Sequence, residues 1–175
     1  MKKLLPKEFL EDVVRLPYKP NPQNNPHHEK QVESLLKKHK IRYKAQPNGS
    51  QKFPDFRLLD YELNLECKSS VGYKPMWNRG LPRPDALYII TCKKLNRTNI
   101  FFGKYVLPAK KRKRLLENDI KWKKLIQDDQ DDDDIFVLYP RLAFDTKIKN
   151  KPGGYKSFYW NDTHAKRVLN HFLPF

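Results

Sequence analysis

The stretch from Ser50 to Ser70, S-Q-K-F-P-D-F-R-L-L-D-Y-E-L-N-L-E-C-K-S-S, decides the fold. It reads as two adjacent β-strands, the first from Phe56 to Leu59 and headed by Pro54-Asp55, the second from Glu62 to Lys68. In the second strand Leu63, Leu65 and Cys67 alternate with Glu62, Asn64, Glu66 and Lys68, the pattern of a strand with one apolar and one polar face. Period two sets Glu66 and Lys68 side by side, pointing the same way. Two carboxylates can hold a hard cation such as Mg2+, which prefers oxygen ligands and keeps several waters. An ammonium beside them can orient one of those waters and screen the charge of a phosphate.

Pro54-Asp55, ten residues, then Glu66-Cys67-Lys68 resembles the PD-(D/E)XK signature shared by many type II restriction endonucleases. The resemblance implies an α/β fold, a mixed central sheet flanked by helices like the restriction-endonuclease core. It implies that Asp55 and Glu66 bind one or two Mg2+ ions, that the backbone carbonyl of Cys67 adds a ligand, and that Lys68 serves the attacking water. Relatives of this kind carry a glutamate on the first core helix, ahead of a V-x-x-L-L pattern. Here that pattern is Val32 to Leu36, with Glu29 as the first choice and Glu33 as the second. The competing reading makes both of them surface acids that balance Lys37 and its neighbours.

Working outward on the N-terminal side, Gln46-Pro47-Asn48-Gly49-Ser50-Gln51 is a turn by its composition. Gly-Ser-Gln ahead of Pro-Asp is similar to restriction-enzyme chains, which makes Gln51 a candidate DNA contact. Ile41 to Ala45 is a short strand. Residues 27 to 40 form an amphipathic helix with Val32, Leu35 and Leu36 inward, and His27 and His28 read as surface residues at its start. Residues 1 to 26 combine a short helix bearing Phe9, Leu10, Val13 and Val14 with a proline-rich arm, read as a connector in preference to a DNA-tracking arm. Pro6, Lys7 and Glu8 interrupt any signal-peptide pattern.

On the C-terminal side, Ser69 and Ser70 lead into an irregular segment, V-G-Y-K-P-M-W-N-R-G-L-P-R-P-D. Its length without secondary structure favours a functional loop. The P-x-W-N-x-x-x-P portion again resembles restriction endonucleases. Ser69, Ser70, Lys74, Trp77, Asn78, Arg79 and Arg83 are therefore expected to meet DNA, by base edges or phosphates. Ala86 to Cys92 is a continuous apolar run and reads as a strand buried on both faces. Lys93 to Asn99 is the turn, and Ile100 to Leu107 the next strand.

Pro108 to Gln127 is the clearest helix, with Leu115, Leu116, Ile120, Leu125 and Ile126 as apolar positions. Lys110 to Arg114 crowd its start, where cations oppose the helix dipole. That clustering suggests a phosphate-contacting surface, with Lys110 and Arg112 as named candidates; a nuclear-localisation-like patch is the competing reading and a solvated face the third. Residues 128 to 134 are a run of aspartates broken by Gln130, read as a solvated acidic loop. Ile135 to Tyr139 is a further expected strand, Thr146 to Trp160 a basic aromatic loop. A last helix runs from Thr163 to Leu173, capped by Asn161 or Asp162, with Val168, Leu169 and Phe172 inward.

The 175 residues suit one domain spanning the chain. With 36 basic and 20 acidic residues the formal charge is +16, a field that favours a polyanionic partner, most simply nucleic acid, with an anionic membrane surface as the competitor; the resemblance makes that nucleic acid double-stranded DNA. Cys67 and Cys92 sit within apolar strands and make no disulfide framework. No transmembrane stretch is present, and an intracellular, cytoplasmic protein is expected. Cutting both strands implies a homodimer, and a restriction system implies a companion DNA methyltransferase. A repair, junction-processing or viral nuclease of the same fold is the alternative. A basic nucleic-acid-binding protein without chemistry is the rival from another class.

Overall fold

In the computed structural model of the chain, β2 (Phe56–Leu58) and β3 (Leu63–Ser70) form an antiparallel pair, with Phe56 opposite Leu65 and Leu58 opposite Leu63. The structure describes residues 5–19, 26–50, 52–75, 77, 81–128 and 159–172. Leu63, Leu65 and Cys67 are buried, while Asn64, Glu66 and Lys68 are half-buried on the other face. Glu62 is not part of the strand. A single 3-10 turn, Leu59–Tyr61, joins β2 to β3, and Glu62 closes it in the left-handed conformation with φ 49°.

The described sheet has five strands in the order β1-β2-β3-β4-β5, with β1 at Tyr43–Ala45, β4 at Leu87–Cys92 and β5 at Arg97–Phe102. All neighbours are antiparallel except β3 and β4, which run parallel with Glu66 beside Tyr88 and Lys68 beside Ile90. A parallel pair needs a long crossover, and the segment between Ser70 and Leu87 supplies it. Every residue of β4 is buried, as a strand covered on both faces must be. The fold is therefore α/β, a mixed sheet with flanking helices.

The β4–β5 hairpin is tighter than its composition implied. The turn is Lys93–Asn96, closed by the Asn96 N–H donating to the Lys93 carbonyl at 3.1 Å, with Asn96 left-handed at φ 45°. β5 therefore begins at Arg97 instead of Ile100. It stops at Phe102, where a 3-10 turn (Gly103–Tyr105) follows.

Two cores result from the alternation. On one face Leu65, Cys67, Leu87, Ile89, Ile100 and Phe102 pack against Phe9, Leu10 and Val13 of α1 (Lys7–Arg15), Val32 and Leu36 of α2 (Pro26–Lys38), and Val168 of α4 (Thr163–Phe172). On the other face Tyr88, Ile90, Cys92 and Phe101 meet Trp77, Tyr159 and Trp160. Asn161 caps α4, its Oδ1 accepting from the Thr163 N–H at 2.9 Å. Leu16 and Tyr18 are tied to the hairpin: Thr98 Oγ1 donates to the Leu16 carbonyl, and the Tyr18 N–H to Asn96 Oδ1. The described part of the N-terminal segment thus lies along β5.

α3 (Ala109–Asp128) departs from expectation. Ile120 and Leu125, assigned to an inward stripe, are 67% and 64% exposed, and Trp122 is 66% exposed. Leu115, Leu116 and Ile126 are half-buried. His28 departs the other way: it is buried, with Nε2 3.3 Å from the Ile89 carbonyl. Burial outweighs that bond and pulls its pKa down to about 4. Among the described residues no helix is long and apolar enough to cross a membrane. The strand expected at Ile135 to Tyr139, residues 129–134 of the acidic run, most of the basic aromatic loop, residues 20–25 and the side chain of Phe172 lie outside the described residues.

Candidate active site

Asp55 is positioned by the turn before β2. The Gln46 N–H donates to the Asp55 carbonyl at 2.7 Å, and Asn48 Nδ2 to the Phe53 carbonyl at 2.8 Å. The turn's reversal uses Gly49 at φ 92°, where a side chain is disfavoured. These bonds aim the Asp55 carboxylate along β3, where Oδ2 accepts the Cys67 N–H at 2.7 Å. β2 pairs with β3 only as far as Leu65. Cys67 therefore presents its backbone to the side where β2 has ended, and Asp55 takes up the N–H. A strand residue's N–H and C=O leave on the same side, so the Cys67 carbonyl also faces this end of the site.

Glu66 and Lys68 lie on the aromatic face, their side chains 15% and 20% exposed, with Lys68 Nζ 3.2 Å from Glu66 Oε1. Lys68 also stands 5.6 Å over the Trp77 ring, a cation–π contact that holds the ammonium at the site's edge. Glu66 Oε2 is buried and has no hydrogen-bond partner among the described residues. Such an atom is costly to leave unmet.

Glu29, in the first turn of α2, belongs to the same group. Burial pushes its carboxyl above the ordinary range, and the Glu66 carboxylate pushes it further, with Lys68 opposing. Asp55 is pushed up to about 7, by burial first and then by Glu66, with Glu29 adding and the Cys67 N–H and Lys68 opposing. Glu33, one turn along, faces elsewhere: Tyr43 Oη donates to its Oε1 at 2.6 Å and Lys37 pairs with it at 3.0 Å. Those bonds hold its carboxyl below the ordinary range. The Cys67 thiol is buried in the aliphatic core, and burial followed by the nearby carboxylates pushes it far up, so it stays protonated and inert.

The donor set suits a small hard cation. Among the described residues no group of three or more His, Cys, Asp or Glu side chains is gathered closely enough to hold a metal ion alone. Mg2+ does not need such a cage, because it is bound through one or two carboxylates and completes its shell with water and substrate oxygens.

The expected DNA contacts divide. Trp77 is 5% exposed, stacked edge-on against Tyr88 at 5.1 Å, with Nε1 donating to Tyr159 Oη at 3.3 Å. Its indole is a core element beneath Lys68 and is not available to stack on bases, which corrects the loop assignment. Ser70 Oγ donates to the Lys74 carbonyl, which ties the start of the crossover together. Ser69 and Lys74 are half-buried and Lys110 is exposed. Arg83 is exposed, its guanidinium 4.1 Å over the Phe53 ring. Gln51, Asn78 and Arg79 lie outside the described residues.

Tyr88 was not singled out by sequence, although a tyrosine within the aliphatic run A-L-Y-I-I is the signal that marks it. Its Oη accepts the Arg83 N–H at 2.9 Å, and burial, with Glu66, keeps its phenol protonated against the charges of Arg83 and Arg112. No match to the chain was found among protein-family models, curated proteins or solved structures.

Proposed function

We propose that the chain is a Mg2+-dependent endonuclease of the PD-(D/E)XK type that hydrolyses phosphodiesters of double-stranded DNA, acting at a defined sequence as type II restriction endonucleases do. One observation carries the reading. Asp55, Glu66 and Glu29 act on one another electrostatically where they are partly buried, with Asp55 raised to about 7 and a Glu66 oxygen unpartnered among the described residues, in a chain whose net charge is +16. Acids concentrated against that background serve a cation better than they serve the fold.

Asp55, Glu66 and the Cys67 carbonyl would hold the ion, with Glu29 adding negative charge behind them. A bound Mg2+ supplies neutralisation of the phosphoryl oxygens and a more acidic water. Lys68 gives one donor to Glu66 and keeps others for a water and a phosphate oxygen. The Asp55 bond to the Cys67 N–H fixes one carboxylate oxygen and leaves the second for the ion. A chain of this size carries one such site, so cutting both strands calls for a homodimer. A companion methyltransferase would protect the host's own sites.

The test is digestion of unmethylated phage DNA with Mg2+, with EDTA, and with the Glu66→Gln and Lys68→Ala variants. Discrete bands are expected only with Mg2+, and a loss of about a hundredfold or more in each variant, measured below each variant's own thermal midpoint. A smear would remove sequence specificity and return the chain to repair or processing. DNA binding without cutting would remove catalysis and leave a binding protein.

A further inference from the structure

Trp77, the aromatic that the crossover was expected to offer to DNA, is buried, yet the same segment exposes two other apolar side chains. Val71 is 65% and Tyr73 38% exposed, just past the end of β3. Single exposed apolar residues are ordinary on a protein surface. These two differ in being held out. The Gly72 carbonyl accepts from Cys92 Sγ, the Tyr73 carbonyl from Trp160 Nε1 at 2.8 Å, and the Lys74 carbonyl from Ser70 Oγ. The Lys93 N–H donates to the Ser70 carbonyl at 2.9 Å and ties the segment to the β4–β5 turn. Three successive carbonyls are therefore fastened, two of them to the aromatic core on the face that carries Glu66 and Lys68. The ordering cost of presenting Val71 and Tyr73 to a partner is met by the fold itself.

The surroundings of the pair are cationic. Lys94 Nζ stands 5.2 Å from the centre of the Tyr73 ring, with Lys93 beside it in sequence. Both lysines are exposed and neither forms an ion pair with a described acid. From Ser69 to Leu116 the sequence holds twelve Lys and Arg and a single acid, Asp85. A second copy of this chain would bring the same charge to such a surface and be repelled. Stable anchoring to an anionic bilayer takes a long apolar face or a lipid, and Val71 with Tyr73 is neither. Nucleic acid fits both features, since it offers phosphates to the lysines and flat apolar bases to the ring. Position adds a second argument. β3 carries Glu66 and Lys68 and ends at Ser70, about 7 Å beyond Lys68 at the rise of a strand.

We propose that Val71 and Tyr73, flanked by Lys93 and Lys94, form a nucleic-acid contact surface in which the Tyr73 ring stacks on a base a few nucleotides from the scissile phosphate. The place of that base relative to the cut rests on the nuclease reading; the contact itself rests on exposure, anchoring and charge. In a duplex the ring enters at a base step with Val71 beside it, as apolar wedges do.

The experiment measures duplex oligonucleotide binding by fluorescence anisotropy in EDTA over a range of salt, and the emission of 2-aminopurine placed at successive positions of the duplex. It compares wild type with Tyr73→Ala, Tyr73→Phe, Tyr73→Leu and Leu59→Ala, and records thermal midpoints. Leu59 is the control, 46% exposed at the opposite end of β3. Tyr73→Ala is expected to weaken binding about tenfold at unchanged salt slope, because a stacked ring releases no counterions. Tyr73→Phe and Leu59→Ala should stay within about twofold of wild type. Wild type should alter 2-aminopurine emission at one position, and Tyr73→Ala should not. Tyr73→Ala with native stability and wild-type affinity would overturn the surface, as would an equal loss in Leu59→Ala. If Tyr73→Ala does not fold, Tyr73→Leu carries the test, because it keeps the bulk and loses the ring. Wild-type duplex affinity in that variant would overturn stacking. A Tyr73→Ala loss seen on phosphatidylserine vesicles and not on duplex would move the partner to a membrane and overturn the proposal. Duplex bound through Tyr73 but never cut would sink the nuclease reading and leave the surface standing. Cutting lost in Glu66→Gln but unaffected by Tyr73→Ala would do the reverse.

Discussion

The two faces of the sheet come from the same alternating strands and make two different interiors. Against α1 and α2 the face is aliphatic: Leu65, Leu87, Ile89 and Ile100 are each 0% exposed and meet Val13, Val32 and Leu36. Packing closes it except at His28, whose Nε2 meets the Ile89 carbonyl and whose Nδ1 has no partner among the described residues. The opposite face is aromatic, and its rings carry polar ends that need directional partners. Trp77 finds Tyr159, Tyr88 finds the Arg83 N–H, and Asn99 Nδ2 donates to the Tyr159 carbonyl at 2.7 Å. Among the described residues Glu66 Oε2 and Arg112 Nε find none. The difference teaches where to look for a ligand: an aliphatic core is complete when its volume is filled, a polar one only when every donor and acceptor is met.

That contrast can be broken first on the aliphatic side. Leu65→Ala removes a fully buried side chain from the centre of β3 and should cost about 3 kcal/mol, read as a lower denaturant midpoint at unchanged slope. A cost under about 1 kcal/mol would mean that this face is no tighter than the other.

On the polar side the sign reverses. The Asp55 pKa of about 7 lies above 3.8, its value in the absence of the fold. Between those values the folded chain binds more protons than the unfolded one, so stability falls as pH rises from about 4 to about 7 and then levels. Asp55→Asn removes the cost. In EDTA it should be more stable than wild type at pH 8 by about 2 kcal/mol, after allowing for screening, and the gain should vanish towards pH 4. Thermal midpoints across pH check this, and a variant less stable at pH 8 would remove the electrostatic account.

The smallest effect is the sharpest comparison, because it sets two acids of one helix against each other. Glu29→Gln should raise the midpoint at pH 8, since it relieves repulsion from Glu66. Glu33→Gln should lower it by a few tenths of a kcal/mol, since it weakens the bonds from Tyr43 and Lys37. Equal signs would place both glutamates in one environment.

Much of this was legible from periodicity. The faces of β3, the double burial of β4 and the inward residues of α1 and α2 follow from two- and 3.6-residue repeats that act on neighbours. Periodicity failed where a residue's environment is set by something distant. Glu29 and Glu33 are four apart and equivalent on an isolated helix, yet docking of α2 on the sheet brings only the first to Glu66. His28 looks like a solvated helix start and is buried by the Ile89 carbonyl of β4. Arg112 is one of five consecutive cations, and only the placement of α3 buries its Nε while Lys110 stays in solvent. Ile120 and Leu125 match an inward stripe and remain exposed, because no described element packs over them.

The sequence by itself determined the hairpin, the alternation that aligns Glu66 with Lys68, and the positive field around them, since each depends on the order and charge of near neighbours. The tertiary structure alone decided that β4 runs parallel beside β3, that Asp55 caps Cys67, that Glu29 joins the acids and that Trp77 becomes core. Those contacts join residues far apart along the chain, and their energies depend on burial and distance, which no local repeat encodes.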